Sequence, residues 1–511
     1  MLLPLPTPAE MASWDRDTIN SGIPGLALME AASRESFDVL RDAFGPVDGA
    51  VAYCFAGSGN NGGDAFALAR QLHEHGAEVI IYHSKPASRY SGDAGTNLNW
   101  AKAVGVTAIH LDDADPDILP QPDIIVDGLL GTGFDGELSP AFLKLVHAIN
   151  RLGERAFVLS VDIPSGLNGY TGFPCPEAVM ADATVTFQAA KLGMALPGAS
   201  GFTGELFIRP IGITLVAMEA HPTKFQLISQ TAMNAIPTPN YAMHKGSAGR
   251  VLIAGGSPGL TGAPHLAALG ALRSGAGLVT VACPAGLADS IKGGAPEIMT
   301  LPLGKGTEWT PDMTDKLLER AEGVDALVIG PGLGRGSGAT RFIKTCVPHC
   351  SCRTVLDADA LYALAEYPEL LADLPPTTIV TPHPGEMARM LNTTTAQVQA
   401  DRFAAIDHFV RLCPATLILK GAGTLVADRS TTCLSPFAEP NLAVGGSGDV
   451  LSGLLGTLLS QGLGQLQAAC IGVYWHGLAG HMLKENFPLR GNIASEIAHM
   501  LPMAAKEYSA C

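Results

Sequence analysis

The chain has 511 residues, a formal net charge of −16, and 47% hydrophobic against 16% charged residues. That length fits two or three domains of about 100–200 residues, and the apolar share excludes a disordered chain. The acidic balance argues against a nucleic-acid or anionic-membrane partner, which would need clustered Lys and Arg. It leaves room for a phosphate pocket built from backbone amides. No apolar run reaches the roughly 18 residues of a membrane span. The N-terminus, MLLPLPTPAEMASWDRD, has no basic region before its short, proline-broken apolar stretch, so a cytoplasmic protein is expected. Ten scattered cysteines suit a reducing compartment. Cys346, Cys350 and Cys352, with His349, lack a second C-x-x-C half and read as ordinary surface thiols rather than a zinc site.

In chain order, AVAYCFAG (50–57) reads as a buried strand, DAFALARQLHEHG (64–76) as an amphipathic helix, and EVIIYHS (78–84) as a strand. DIIVDGLLGTG (123–133) runs from strand into a glycine turn. PAFLKLVHAINRLG (140–153) is a helix, and AFVLSVDIPSG (156–166) another strand-to-turn unit. Residues 211–248 break the rhythm, which places a domain boundary near 218–228. RVLIAGG (250–256) then starts a second series: a helix over 263–275, strand units at 278–284, 325–332, 353–359, 377–385 and 416–423, and an apolar helix over 448–460. Strands alternating with helices predict an α/β protein with parallel, doubly wound sheets. The halves, 1–220 and 226–511, show no aligned repeat and are expected to carry different chemistry.

AGSGNNGGDA (56–65) contains the G-x-G-x-x-G pattern that cradles a dinucleotide pyrophosphate. A hydride-transfer site also expects an acidic residue about 20 positions on, at the end of the second strand. That strand ends His83-Ser84-Lys85, with no carboxylate. Asn60, Asn61 and Asp64 would serve as turn and cap residues, but paired asparagines at the carboxyl edge of a parallel sheet also suit a polar ligand site. Asp127 and Asp162, with Ser165, sit at two further strand ends. Two carboxylates and an amide oxygen suit a hard cation, or a carboxylate suits proton transfer. Lys191, after the strand DATVTF, would hold a carboxylate ionised or place a negative substrate group.

Together with M-x-x-x-D-x-x-T-I-x-x-G-I-P-G-L-x-L-M-E-x-A (11–32), the stretches GSGNNGGDA, DGLLGTG and SVDIPSG resemble the NAD(P)H-hydrate epimerase domain over nearly all of residues 10–215. The resemblance implies a Rossmann-like fold that interconverts the R and S epimers of NADHX and NADPHX, nicotinamide coenzymes hydrated at C6. It implies that Asn61, Asp127 and Ser165 hold a potassium ion. Contacts to the hydrate would come from Asn60, Asn61, Gly62, Gly63 and Asp64, and from the turn Gly131, Thr132, Gly133, Phe134, Asp135, Gly136 and Glu137. Asp162 would be the acid/base residue, with Lys191 in the catalytic set. Ala65 stands where the family's loop commonly has glycine.

NLAVGGSGDVLSG (441–453) is the most informative stretch of the second half. Gly445, Gly446 and Gly448 allow backbone N–H groups to face an anion at the helix N-terminus. Asp449, at the mouth, can accept a proton from a hydroxyl attacking phosphorus, or simply cap the helix. No P-loop motif is present, and Ser447 lacks the final glycine of G-x-S-x-G. The loop resembles the ribokinase-like fold, which would place Lys420, Gly421, Ala422, Gly423 and Thr424 around a nucleotide with Gly448. HKGSAGRVLIAGGSPGLTGAPHLAALGALRSGAGLVTVA (244–282), GPGLGR (330–335), LDADAL (356–361) and TPHPGEMARML (381–391) narrow the resemblance to the ADP/ATP-dependent NAD(P)H-hydrate dehydratase, over most of 226–505. It implies that Ala263, Gly332 and His383 contact the S-hydrate, that Asp449 is the base, and that ADP is the usual phosphoryl donor. A magnesium ion is expected with the nucleotide. Asp357 and Asp359 would help hold it or would cap a helix, and the sequence favours neither. A homo-oligomer is expected. A vitamin kinase with a regulatory N-terminal binding domain is the alternative reading.

Overall fold

The computed structural model describes residues 2–239, 241–488 and 490–506. The chain forms two compact units, Pro4–Phe225 and Gln226 onward. Leu2 and Leu3, expected in the N-terminal domain, belong instead with the second unit, where the strand Leu2–Pro4 joins its sheet.

The first unit holds a seven-stranded sheet in the order Thr107–His110, Glu78–His83, Val51–Ala56, Ile124–Gly128, Phe157–Val161, Ala183–Phe187, Glu205–Arg209, with parallel pairing throughout. The interior strand Val51–Ala56 shows why. Ala52, Cys54 and Ala56 enter one buried cluster, while Tyr53 and Phe55 enter another. Period-two alternation of apolar residues on both faces demands cover on both sides. Strand order reverses between Val51–Ala56 and Ile124–Gly128, and ligands of open α/β sheets sit at such a switch point.

The second unit's sheet has eleven strands. Its parallel part runs Thr416–Leu419, Thr378–Val380, Arg353–Leu356, Ala326–Ile329, Arg250–Ala254, Leu278–Pro284, Met299–Leu303. Leu425–Ala427 and Thr432–Leu434 continue it antiparallel from Thr416–Leu419. Here the order reverses between Arg250–Ala254 and Ala326–Ile329. The helices Gly262–Arg273 and Ser447–Ser460 cross in close contact through glycine. A Cβ on Gly453 would lie 1.8 Å from the Ala267 carbonyl oxygen, and one on Gly270 would lie 2.4 Å from that of Val450. Thr457 Oγ1 adds a hydrogen bond to the Ala271 carbonyl at 3.0 Å. This crossing fixes the glycine-rich loop ahead of Ser447 over the sheet's carboxyl edge.

Two expectations need correction. The helix expected from residue 64 begins at Asn60, so the asparagines are its first residues and Asp64 lies beyond its first turn. Cys346 and Cys350 are buried rather than surface thiols, their sulfurs 4.0 Å apart, and Cys352 is half-buried. The hydrogen bond with Cys346, and then burial, push the Cys350 thiol up. Apolar packing around Phe342 and Ile343 takes the helix end inward, which spacing alone did not reveal. Cys511 lies outside the described residues. Among the described residues, no helix is long and apolar enough to cross a membrane, and no group of three or more His, Cys, Asp or Glu is placed to hold a metal.

Candidate functional site

In the first unit, two turns meet at the switch point. Gly57 N donates to the Gly128 carbonyl at 2.9 Å, and a Cβ on Gly57 would lie 1.7 Å from the Leu129 carbonyl oxygen. A Cβ on Gly62 would lie 2.1 Å from the Gly57 carbonyl oxygen. Glycine at both positions lets the loop fold under the turn that starts at Leu129. Gly62→Ala is therefore expected to destabilise this unit by about 1–3 kcal/mol through overpacking, read as a lower urea midpoint for amide-exchange protection of Val51–Ala56.

A cavity of about 620 Å³ opens beside these turns. It is lined by Asn60, Asn61 and Asp64, by Gly131, Thr132, Gly133, Phe134 and Asp135, and by Asp162 and Lys191. Gly62 and Gly63 are buried behind it, and Gly136 and the exposed Glu137 stand off its wall. Lys191 is fully buried and ion-paired with Asp162, and its Nζ also donates to Thr186 Oγ1 at 2.7 Å. Asp162 holds φ at 67°, a left-handed conformation that is costly for a residue with a Cβ. Its carboxylate is thereby turned from the strand end toward Lys191. Burial, together with Asp162 and Asp15, pushes the Asp64 carboxyl well above its ordinary range.

Behind the cavity, Asp127 is fully buried and accepts four hydrogen bonds, from Ser165 N at 2.8 Å, Ser160 Oγ at 2.9 Å, Leu129 N at 3.3 Å and Ser165 Oγ. Burial raises its pKa and these donors oppose the rise. Asn61 Nδ2 donates to the Leu130 carbonyl at 2.8 Å, while Asn61 Oδ1 is buried with no hydrogen-bond partner. An orphaned amide oxygen has an unmet need for a donor or a cation.

In the second unit, Asp357, Lys420, Gly448 and Asp449 come together at the sheet's carboxyl edge. Lys420 Nζ lies 2.9 Å from Asp357 Oδ1, and Asp357 also accepts from Thr381 Oγ1 at 2.6 Å and from Ser452 Oγ. Burial alone would raise the Asp357 pKa, but the Lys420 ammonium and the two hydroxyls outweigh it and lower it. Among the described residues no hydrogen bond to the Asp449 carboxyl is found, and Lys420 only partly offsets its burial. Burial, with the nearby Asp357, pushes its carboxyl up to about 7. It lies in the first turn of Ser447–Ser460, where Gly446 enters with φ 90° and the N–H groups of Gly448 and Asp449 precede the helical hydrogen bonds. A Cβ on Gly448 would lie 3.3 Å from Lys420 Nζ.

The loop 420–424 is held by a residue the sequence reading passed over. Arg402 donates to the carbonyls of Ala422 at 2.8 Å, Gly423 at 3.1 Å and Leu419 at 2.9 Å. Burial brings its pKa down to about 10. The amides of Lys420 and Gly423 already donate to the carbonyls of Pro382 and Phe437, so these two turn amides are occupied within the fold. At the switch point, Gly332 (φ 60°) packs on Ala263, whose Cβ would be 3.0 Å from a Cβ on Gly332. Asp359 binds Gly334 N and Arg335 Nε, both at 2.9 Å, which fixes the adjoining turn. His383 caps the helix Pro384–Met390: its Nδ1 accepts from the amides of Gly385 and Glu386, at 3.0 and 3.3 Å. Burial and the neighbouring Lys420 lower its pKa, which leaves Nδ1 free to accept. His476 Nε2 lies 3.1 Å from the Ser447 carbonyl and 3.3 Å from its hydroxyl, and burial pulls its pKa down to about 4. With its proton committed to the carbonyl, Nε2 cannot serve as a base for Ser447, so this pair is no hydrolase dyad.

Family models match both units: NAD(P)H-hydrate dehydratase over residues 251–503, and YjeF-related protein N-terminus over residues 25–193. A bifunctional NAD(P)H-hydrate repair enzyme of Moorella thermoacetica is 38% identical, over 98% of this chain and 96% of its own. One from Coxiella burnetii is 35% identical, over 96% of each chain. A solved ADP/ATP-dependent NAD(P)H-hydrate dehydratase of Bacillus subtilis, co-crystallised with ATP and Mg2+, is 26% identical and covers 54% of this chain and 96% of its own, with a TM-score of 0.46. Two matched units in this order and near-full-length relatives lead to one conclusion: the chain belongs to the family of bifunctional NAD(P)H-hydrate repair enzymes.

Proposed function

We propose that the first unit interconverts the R and S epimers of NADHX and NADPHX, and that the second dehydrates the S epimer with ADP, or ATP, as a consumed reactant. The observation that carries this reading is Asp449: a carboxyl pushed up to about 7, beside the half-buried Lys420 and in the first turn of a glycine-entered helix. A base with a pKa near neutral combines a useful ionised fraction with good proton affinity. Asp449 takes the proton of the C6 hydroxyl as its oxygen attacks the terminal phosphorus of the nucleotide. AMP leaves when the donor is ADP. The C6–O bond of the phosphate ester then breaks, the C5–H electron pair forms the C5=C6 double bond, and the departing phosphate carries away the C5 proton. Ala263, Gly332 and His383 place the hydrate, while Lys420–Thr424 and Gly448 place the nucleotide.

In the first unit, Asp162 is the proton-transfer residue and Lys191 is its ion-pair partner. The buried, unpartnered Asn61 Oδ1 supports a potassium site with Asp127 and Ser165. Bound there, the ion would supply positive charge beside the 131–135 turn for an anionic dinucleotide. In the second unit, the oxygens of Asp357 and Asp359 are engaged by Lys420, Thr381, Ser452, Gly334 and Arg335. A magnesium ion there would be held chiefly by the nucleotide phosphates, with at most a share from these two carboxylates.

With separated epimers, Asp162→Asn is expected to leave the R epimer unconsumed while the S epimer is dehydrated at the normal rate, followed by recovery of the NADH absorbance band. Normal consumption of the R epimer, beyond its spontaneous rate, would remove Asp162 from the role.

A further inference from the structure

The cavity of the first unit contains a carboxyl that the reading above leaves unused. Met11, Asp15 and Ile19 lie on one face of the helix Pro8–Asn20, at i, i+4 and i+8, and all three line the cavity. Asp15 is the polar member of an otherwise apolar stripe. Its neighbours have partners elsewhere: Trp14 Nε1 donates to the His221 carbonyl at 2.9 Å, and Asp17 binds His221 Nε2 at 2.8 Å. Trp14 and Met11 are packed with Leu28 and Ala189, and a Thr7–Glu10 capping box closes the helix start. The helix is therefore anchored, yet no hydrogen bond or ion pair of Asp15 is found among the described residues. Asn61, which lines the same cavity, is only 7% exposed and its Oδ1 has no hydrogen-bond partner among the described residues, so the cavity is short of a ligand there too.

We propose that Asp15 is the second proton-transferring residue of epimerisation, acting on the ring face opposite to Asp162. This rests on the epimerase reading of the unit. C6 of the hydrate carries both a hydroxyl and the ring nitrogen N1, so it is a hemiaminal carbon. Protonated Asp15 gives its proton to the C6 hydroxyl. The C6–O bond breaks, water leaves, and the N1 lone pair forms an N1=C6 iminium. A water on the other face adds to C6, losing its proton to the Asp162 carboxylate. The configuration is inverted, and no electrons are gained or lost. The proton has moved from Asp15 to Asp162, and exchange with solvent restores the starting state. The reverse direction uses the same two groups with their protonation exchanged.

Electrostatics supports the assignment. The ionisable groups lining the cavity with Asp15 are Asp64, Asp93, Asp135, Asp162 and Lys191. Burial first, and then Asp162, push the Asp15 carboxyl up to about 6, with Lys191 opposing. Lys191 is ion-paired with Asp162 instead. Asp15 is thus suited to the acid role, while the other carboxyl, Asp162, faces an ammonium.

The test uses the full chain, separated epimers and the pH profile of R-to-S conversion. The wild type should lose rate above about pH 6 as Asp15 ionises. Asp15→Asn should fall by roughly 10²–10⁴-fold and lose that upper limb, with S-epimer dehydration unchanged. Asp15→Glu should recover part of the rate with the limb displaced. Amide-exchange protection of Val51–Ala56 checks the fold of each variant, and Asp15→Glu decides if Asp15→Asn is unfolded. An Asp15→Asn rate within threefold of wild type, or an Asp15→Glu profile identical to wild type, overturns the role of Asp15. A wild type that does not accelerate epimerisation at all overturns the underlying reading instead.

Discussion

Asp449→Asn should abolish dehydration, by roughly 10²–10⁴-fold in kcat, while R-to-S epimerisation in the same chain stays at the wild-type rate. The amide keeps the shape of the side chain but cannot take the hydroxyl proton. The pH dependence carries the same signature. As a base, Asp449 must be ionised, so wild-type dehydration should rise with pH up to about 7 and then level. The residual rate of the variant should not follow that curve. Stability should move the other way. The folded pKa is raised above 3.8, so the folded state binds the proton more tightly, and this group's contribution falls as pH rises from about 4 to about 7. At pH 8 Asp449→Asn should melt higher than wild type. A variant that dehydrates normally removes Asp449 from the role of base.

Lys420→Met should cost the second unit about 3–5 kcal/mol, because it leaves the Asp357 carboxylate buried without its counter-charge. Asp357 is 1% exposed and the Lys420 side chain 22% exposed, so solvent screens the pair weakly. Asp357→Asn combined with Lys420→Met should recover much of the loss, since no buried charge then remains. The two pKa shifts set the pH window. Asp357 is lowered in the fold, so its contribution is present above the unfolded carboxylate value and is lost as pH falls through the folded one. Lys420 is raised despite its burial, through Asp357 and Glu386, so its contribution is present below 10.5 and is lost as pH rises through the folded value. The pair therefore stabilises the unit over the whole neutral range. Urea midpoints across pH check this. A single variant that loses less than about 1 kcal/mol would show that the pair does not hold this edge of the sheet.

The alternating strands and helices were legible because buried parallel strands must be apolar on both faces, and the glycine turns at their ends break the pattern sharply. Asn61, Asp127, Asp162 and Lys191 stood out for the same reason: they are polar residues placed next to strands that tolerate none. Arg402 and Asp15 did not stand out. Each sits on a helix whose sequence permits an exposed charge, and nothing local shows that tertiary packing turns it inward. Asp15 was contained in the motif beginning at Met11, but nothing local distinguishes it from its charged neighbours Arg16 and Asp17. Cys346 and Cys350 were misread for the same reason, because spacing does not report which helix end is covered.

The sequence by itself determined the two α/β units, their order, the turns that carry chemistry, and the family. Those features depend on local periodicity and on glycine at positions that no other residue fits, such as Gly57 and Gly453. Only the tertiary structure decided how the carboxyls differ in proton affinity. Asp127, Asp357 and Asp449 all lie at strand ends or in a first helical turn, and locally they look alike. Asp357 is held low by Lys420, some sixty residues away in sequence, while burial and the nearby Asp357 push Asp449 up against the pull of the same ammonium. Burial and charge pairing act through space at a few ångströms, so proton affinity is a property of the assembled fold.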